Sequence, residues 1–237
     1  GFDAWDFSMI SMIRYDWEKK CAIKTDHPLL GNNYLAFARQ LKKIGLDNGI
    51  VCNQSHAPFP TYCDEIRSYY KRAIECTAEA GGKICVIHPD NYKSAEENAE
   101  VYNEILPFAK ECGVKIAPEN MFNWNYGPAP AACSSPESFV EHLNAVNDDY
   151  FVACLDIGHA HAFSQTDVDE WLEKCTHLIR HFHIHNNDKS YDTHSALYEG
   201  TIDMAAFLNK AEKMCENATF ALELLESKGS MEWLMEK

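Results

Sequence analysis

Short apolar runs alternate along this chain with longer stretches whose apolar residues return every three or four positions. Runs at 4–7, 50–54, 83–88, 115–119, 151–156, 179–185 and 218–224 are rich in Val, Ile, Ala, Phe and Cys and read as strands. Leu35, Ala38, Leu41 and Ile44 mark an amphipathic helix over 33–44, and Ile66, Tyr69, Tyr70, Ala73, Ile74 and Thr77 mark one over 62–80. Ala99, Tyr102, Ile105, Leu106 and Ala109 do the same for 95–112. Ser135-Pro136-Glu137 supplies a cap, a first-turn proline and an early carboxylate for a helix over 135–145, and 167–175 and 202–215 add two more. Gly45, Gly81-Gly82 and Gly113 stand where helices should stop. Strand and helix alternate with no linker or break in composition, which predicts a parallel sheet in one α/β domain over 1–237.

The ends of the runs carry the chemistry. Run 50–52 leads to His56, 83–87 to His88, 115–118 to Glu119, 151–155 to Asp156, 179–184 to the pair His183 and His185, and 219–222 to Glu223. These metal-capable residues recur every 27 to 40 positions, the length of one strand plus one helix. The interval predicts ligands gathered at the carboxyl ends of parallel strands, as in the mouth of a (β/α)8 TIM barrel. Seven strands are one short of that barrel. Because residues 1–7 read as the turn into a second strand, a first strand–helix unit is expected to be missing from this stretch of chain. An open doubly wound sheet is the alternative.

Composition narrows the function class. A chain of 237 residues with 46% hydrophobic content can bury a full core, and no run approaches the length of a membrane helix. The net charge of -15, with Lys19-Lys20, Lys42-Lys43 and Lys71-Arg72 the only basic doublets and no Lys/Arg stripe, disfavours nucleic acid as a partner. Ten cysteines without a C-x-x-C pair read as free thiols, most of them buried, in a reducing compartment, so a soluble cytoplasmic protein is expected.

Leu155-Asp156-Ile157-Gly158-His159 places a carboxylate at a strand end and an imidazole three residues on, a pairing suited to Mn2+ or Zn2+. The competing reading is that Asp156 caps the next turn and His159 is packed. In Arg180-His181-Phe182-His183-Ile184-His185 the three histidines share one strand face. Parity cannot choose among them; the two nearer the rim are favoured as ligands and one is expected to be a satisfied core histidine. Asp192-Thr193-His194 follows in the next loop. Glu119 and Glu223 end strands in apolar settings, where a lone carboxylate is costly and a shared cation relieves the cost. Two carboxylates on one cation are also the arrangement that takes a proton from one carbon and returns it elsewhere.

With Ser55-His56-Ala57-Pro58-Phe59, Val86-Ile87-His88-Pro89, Ala117-Pro118-Glu119-Asn120, Glu199-Gly200-Thr201-Ile202-Asp203 and Ala221-Leu222-Glu223, these motifs resemble the sugar phosphate isomerase/epimerase superfamily of xylose isomerase-like TIM barrels. That group also contains the endonuclease IV type of apurinic endonuclease. The resemblance implies one divalent ion (Mn2+, Zn2+, Mg2+ or Co2+) held by Glu119, Asp156, His183 and Glu223. Glu119 and Glu223 would act as acid and base through an enediolate, on a small polyhydroxylated substrate. It also implies that His159 touches substrate oxygens and that Lys189 lies where a basic residue can reach a sugar, a solvated surface lysine being the alternative.

The endonuclease IV resemblance implies three zinc ions, with further ligands at His56, His88, His159, Asp192 and His194. This chain departs from that pattern in having Asp90 after His88-Pro89, and in His183-Ile184-His185-Asn186-Asn187-Asp188 where a His-Leu-Asn-Asp signature is usual. The expected activity is therefore a metal-dependent isomerase or epimerase. A zinc phosphodiesterase is the alternative, and a sugar-binding barrel without catalysis the third reading. A homo-oligomer is compatible with all three.

Overall fold

A computed structural model describes residues 1–123, 130–162 and 167–224. They gather into two compact units, one of residues 2–118 with 145–152, the other of residue 1 with 119–144 and 153 onward.

In the amino-terminal unit, β1 (Ala4–Ser8) is followed by a hairpin of β2 (Ile13–Asp16) and β3 (Cys21–Lys24). Then come α1 (Tyr34–Asp47), β4 (Val51–His56), α2 (Asp64–Arg67), α3 (Tyr70–Ala80), β5 (Ile84–Val86), α4 (Ala95–Cys112) and β6 (Lys115–Ala117). Strands β1, β4, β5 and β6 form one parallel sheet in that order, with Ala4 opposite Val51, Gln54 opposite Ile84 and Ile84 opposite Lys115. All three residues of β5 are buried, as expected of a strand covered on both faces. Ser94 and Glu97 close a capping box at the start of α4, and Gly113 ends it at φ +67°.

Three local expectations need correction. The hairpin was not foreseen; its turn is held by the Asp16 carboxylate, which accepts from the N–H groups of Glu18 and Lys19 at 3.0 and 2.9 Å. The helix expected over 62–80 is two helices, because the Ser68 hydroxyl donates back to the Glu65 carbonyl at 2.6 Å and closes the first as a single turn. Gly45 lies inside α1 rather than at its end. A Cβ there would sit 2.6 Å from Trp5 Nε1 and 3.0 Å from the Ile50 carbonyl oxygen, so the glycine allows close packing of α1 on β1, and Gly49 at φ +77° makes the turn.

Helix α5 (Pro136–Val146) begins in the carboxy-terminal unit, where β7 (Ala153–Asp156), α6 (Ile157–His161), α7 (Val168–Cys175), β8 (Ile179–Ile184), α8 (Met204–Met214) and β9 (Thr219–Leu222) follow in order. Strands β7, β8 and β9 form a parallel sheet that sets Asp156 opposite His183 and His183 opposite Ala221. Glu119 forms an isolated parallel bridge to Cys154 of β7. The core is apolar and aromatic: buried Phe182 meets Phe207 of α8 at 5.7 Å and Phe139 faces Trp171, while the exposed Phe220 stacks on Phe182 at 4.9 Å. The described residues thus hold the seven parallel strands that the hydrophobic pattern predicts. All ten cysteines are unbridged, seven of them buried. No helix among the described residues is long and apolar enough to cross a membrane.

Candidate metal centre

Strand β7 carries Asp156 to its carboxyl end with no exposed surface. Two devices hold it. The Asn120 side chain makes a double hydrogen bond to the Asp156 backbone, accepting from its N–H at 2.7 Å and donating to its carbonyl at 2.9 Å. The Asp156 carboxylate in turn accepts from the His159 N–H at 2.7 Å and so caps α6. The capping reading and the ligand reading of Asp156 are therefore compatible, since a carboxylate offers more than one lone pair.

Around Asp156 the unit gathers Glu119, His183 and Glu223, each offering one donor atom within 4.8 Å of the others. His183 Nδ1 lies 3.3 Å from Glu119 Oε2, 3.2 Å from Glu223 Oε2 and 3.9 Å from Asp156 Oδ2. Ligands about 2.0–2.2 Å from a zinc-like ion stand roughly 3.0–3.5 Å apart in tetrahedral or octahedral arrangements. The spacing thus suits a shared cation. So does the charge: three carboxylates face one imidazole, and Glu119 and Asp156 are almost wholly buried. Burial would strip the proton from His183, but the surrounding Cys154, Glu119 and Glu223 hold its value well above that of an ordinary imidazole. This donor set could hold a divalent ion, and the imidazole proton would leave when it did.

A second donor group lies in the same unit: His159, His185, Asp192 and His194, again within 4.8 Å of one another. Asp192 Oδ2 is 3.3 Å from His159 Nε2 and 3.1 Å from His194 Nε2. The other ring nitrogens are engaged. His159 Nδ1 bonds the Asn120 carbonyl at 2.9 Å, and His194 Nδ1 bonds the Glu223 carbonyl at 2.9 Å. Donation to a backbone carbonyl fixes the tautomer that turns Nε2 toward Asp192, the usual support of a metal-binding histidine. Burial opposes charge on His194, but the Asp192 hydrogen bond outweighs it and pushes the imidazole up to about 9. His159 is also held high against burial, by Asp156 and Asp192, and burial of Asp192 is outweighed by its two imidazole partners, which hold its carboxyl low.

The remaining sequence candidates separate. In the amino-terminal unit, His56 and His88 meet with their Nε2 atoms 3.0 Å apart, His56 Nδ1 bonds the Ala57 carbonyl, and His88 stacks on Phe59. Lys189 is exposed at φ +72° and belongs to neither donor group. Of the three histidines, His183 joins the carboxylates, His185 joins the second group, and His181, buried, bonds the Thr219 hydroxyl at 2.7 Å and lies in a further donor group with Cys154 and His183. The sequence favours His185 with His183 as a ligand without assigning it to a donor set, and it gives Asn120 no role. The period-2 alternation of the run 179–185 marked His185 as a candidate, but nothing in the sequence marked Asn120 as the brace of Asp156.

Two uncharacterized proteins of Methanocaldococcus jannaschii are similar to the chain. One is 28% identical over 163 residues, covering 64% of this chain and 54% of that protein. The other is 25% identical over 206 residues, covering 82% and 74%. The chain thus matches about half the length of the first of these relatives. Among solved structures, it resembles a D-tagatose 3-epimerase-like protein (TM-score 0.74, 22% identity, 94% of this chain and 82% of that one). It also resembles an L-ribulose 3-epimerase (TM-score 0.67, 16% identity, 100% and 75%) and the zinc-bound IolI protein (TM-score 0.62, 20% identity, 93% and 77%). At these identities the structural likenesses establish the fold. The xylose isomerase-like TIM barrel family matches over residues 1–237, and the chain, with its parallel strands and ligands at their carboxyl ends, belongs to that family.

Proposed function

We propose that the chain is a divalent-metal-dependent isomerase or epimerase acting on a small polyhydroxylated compound, a sugar or sugar phosphate. The observation that carries this reading is the convergence of Glu119, Asp156, His183 and Glu223 within 4.8 Å. An ion held there would polarise the carbonyl and adjacent hydroxyl oxygens of the substrate and lower the cost of the enediolate. One of Glu119 and Glu223 removes the proton beside the carbonyl, and the other returns a proton to the neighbouring carbon or the opposite face. The Glu119 side chain is 1% exposed and that of Glu223 33%, so Glu223 stands on the side that substrate can approach. His159, its Nδ1 held by Asn120, has Nε2 turned toward Asp192, where a substrate hydroxyl could also bond. The named activities of the epimerase neighbours and the zinc in the IolI structure support this reading.

The test is hydrogen exchange. Metal-loaded protein is incubated in D2O with a panel of ketopentoses, ketohexoses and their phosphates, and deuterium at the carbon beside the carbonyl is followed by NMR. Exchange with at least one substrate, lost in Glu119→Gln and Glu223→Gln, is expected. A fully metal-loaded protein that exchanges none of them would overturn the reading.

The second donor group favours one rival, a zinc phosphodiesterase in which His159, Asp192 and His194 serve as further ligands. Three tightly bound zinc ions per chain, with cleavage of a phosphodiester, would decide for it. We further propose a single TIM-barrel domain in a cytoplasmic protein, consistent with ten unbridged cysteines.

A further inference from the structure

His185 stands between the two donor groups. Its side chain is fully buried, and Nε2 donates to the Asp156 carboxylate, 3.0 Å from Oδ1 and 3.1 Å from Oδ2. The same Nε2 lies 3.6 Å from Asp192 Oδ1, a buried oxygen with no hydrogen-bond partner. The ring cannot easily move to serve both. It stacks on His194 at 4.0 Å and 18°, and it packs against Gly158 so closely that a Cβ there would lie 1.8 Å from Cε1 and 2.3 Å from either nitrogen. Its Nδ1 is buried and likewise has no hydrogen-bond partner.

Resting on the reading of Glu119, Asp156, His183 and Glu223 as a metal centre, we infer that His185 is a positioning residue for Asp156 whose Nε2 is also the fourth donor of the second group, so that ions at the two groups compete for it. The exclusivity is chemical. While Nε2 carries the proton it gives to Asp156, it has no lone pair for an ion; once it binds an ion, that proton has left and the hydrogen bond to Asp156 is gone. Hydrogen bonds of this kind to a ligating carboxylate typically change metal affinity about 10–100-fold. An ion entering the second group therefore loosens Asp156 and weakens the first centre. At low metal the protein holds one ion firmly; at high metal the second ion antagonises the first.

Three proteins separate the two roles of Nε2. In H185Q the side-chain amide can still donate toward Asp156 but is a poor ligand, whereas H185F fills the ring space and does neither. Metal-free wild type, H185Q and H185F are titrated with Co2+, followed by visible absorption and by equilibrium dialysis, with circular dichroism as the check on folding. The first equivalent should bind wild type and H185Q within about threefold of each other and H185F at least tenfold more weakly. In wild type, the second equivalent should shift the absorption band of the first and raise its dissociation constant; in both variants it should bind at least tenfold more weakly and shift nothing. Gly158→Ala, which displaces the ring and leaves every donor in the chain, should reproduce the first-equivalent loss of H185F. Tight first-equivalent binding by folded H185F would overturn the inference alone. Failure of the wild type to bind any cobalt would overturn the metal-centre reading and this inference with it.

Discussion

Replacing Asp156 with Asn separates the ligand role of this side chain from its structural roles. The amide oxygen still accepts from the His159 N–H and keeps the cap of α6, and the backbone bonds to Asn120 are untouched. The His185 ring can meet either end of an amide, donating to its oxygen or accepting from its nitrogen. What disappears is one negative charge and one donor among the four. In the metal-free protein the relief of repulsion from Glu119 and Glu223 and the loss of attraction to His183 oppose each other, so the melting temperature should move by only a few degrees. The response to metal is the sensitive quantity. An ion at about 100 times its dissociation constant stabilises a protein by about 2.7 kcal/mol. For a domain of 150–250 residues that corresponds to a rise of roughly 5–11 °C. Differential scanning fluorimetry of metal-free protein with added Mn2+ or Zn2+ should show such a rise in wild type and less than about 2 °C in D156N at the same metal concentration. Because each protein is compared with its own metal-free form, the offset between them cancels. An equal rise in D156N would remove Asp156 from the metal centre, leaving it as the cap of α6.

His194 is held at about 9 in the folded metal-free protein against an ordinary 6.5, and His159 shifts in the same direction. A raised folded value gives stability that is complete below about pH 6.5 and is lost as the pH climbs through about 9. The metal-free protein should therefore melt lower at pH 9 than at pH 6.5. Metal affinity should rise over the same window as ions displace those protons, and isothermal titration in two buffers of different ionisation enthalpy should count them; no proton released at pH 7 would contradict the reasoning. Gly45→Ala adds a Cβ 3.0 Å from the Ile50 carbonyl oxygen and closer still to Trp5, so it should cost about 1–3 kcal/mol of stability in urea unfolding, despite alanine being the better helix former. Ser94→Ala removes the capping box of α4 and should cost about 1 kcal/mol; a variant as stable as wild type would show that the cap contributes nothing.

The order of elements was readable because a parallel strand covered on both faces must be apolar throughout, as Ile84-Cys85-Val86 and Ala153-Cys154-Leu155 are, and because Gly81 and Gly113 adopt the positive φ that ends a helix. Expectation failed where the deciding contact is remote in sequence or purely local. The position of Gly45 inside α1 is set by Trp5, forty residues earlier, and the break between α2 and α3 by one serine hydroxyl. The hairpin after β1 is held by an aspartate turn whose residues would be equally at home in a loop.

The histidine strand shows where period alone stops being informative. His181, His183 and His185 share a face by parity, yet they lie at successive depths along β8 and just past its end, and meet different partners. Thr219 is opposite His181, the carboxylates of Glu119 and Glu223 close on His183, and Asp156 and Gly158 surround His185. The partners come from other strands, and the register between strands decides who meets whom: Asp156 pairs with His183 and His183 with Ala221. A register slip of two residues would keep every side chain on its face and put His181 or His185 among the carboxylates instead. The residue types at the strand ends therefore reveal the donors, while the choice of His183 over its neighbours is a property of the sheet. The same register brings His185 within reach of Asp156 and Asp192 together, a relation that no spacing along the chain encodes.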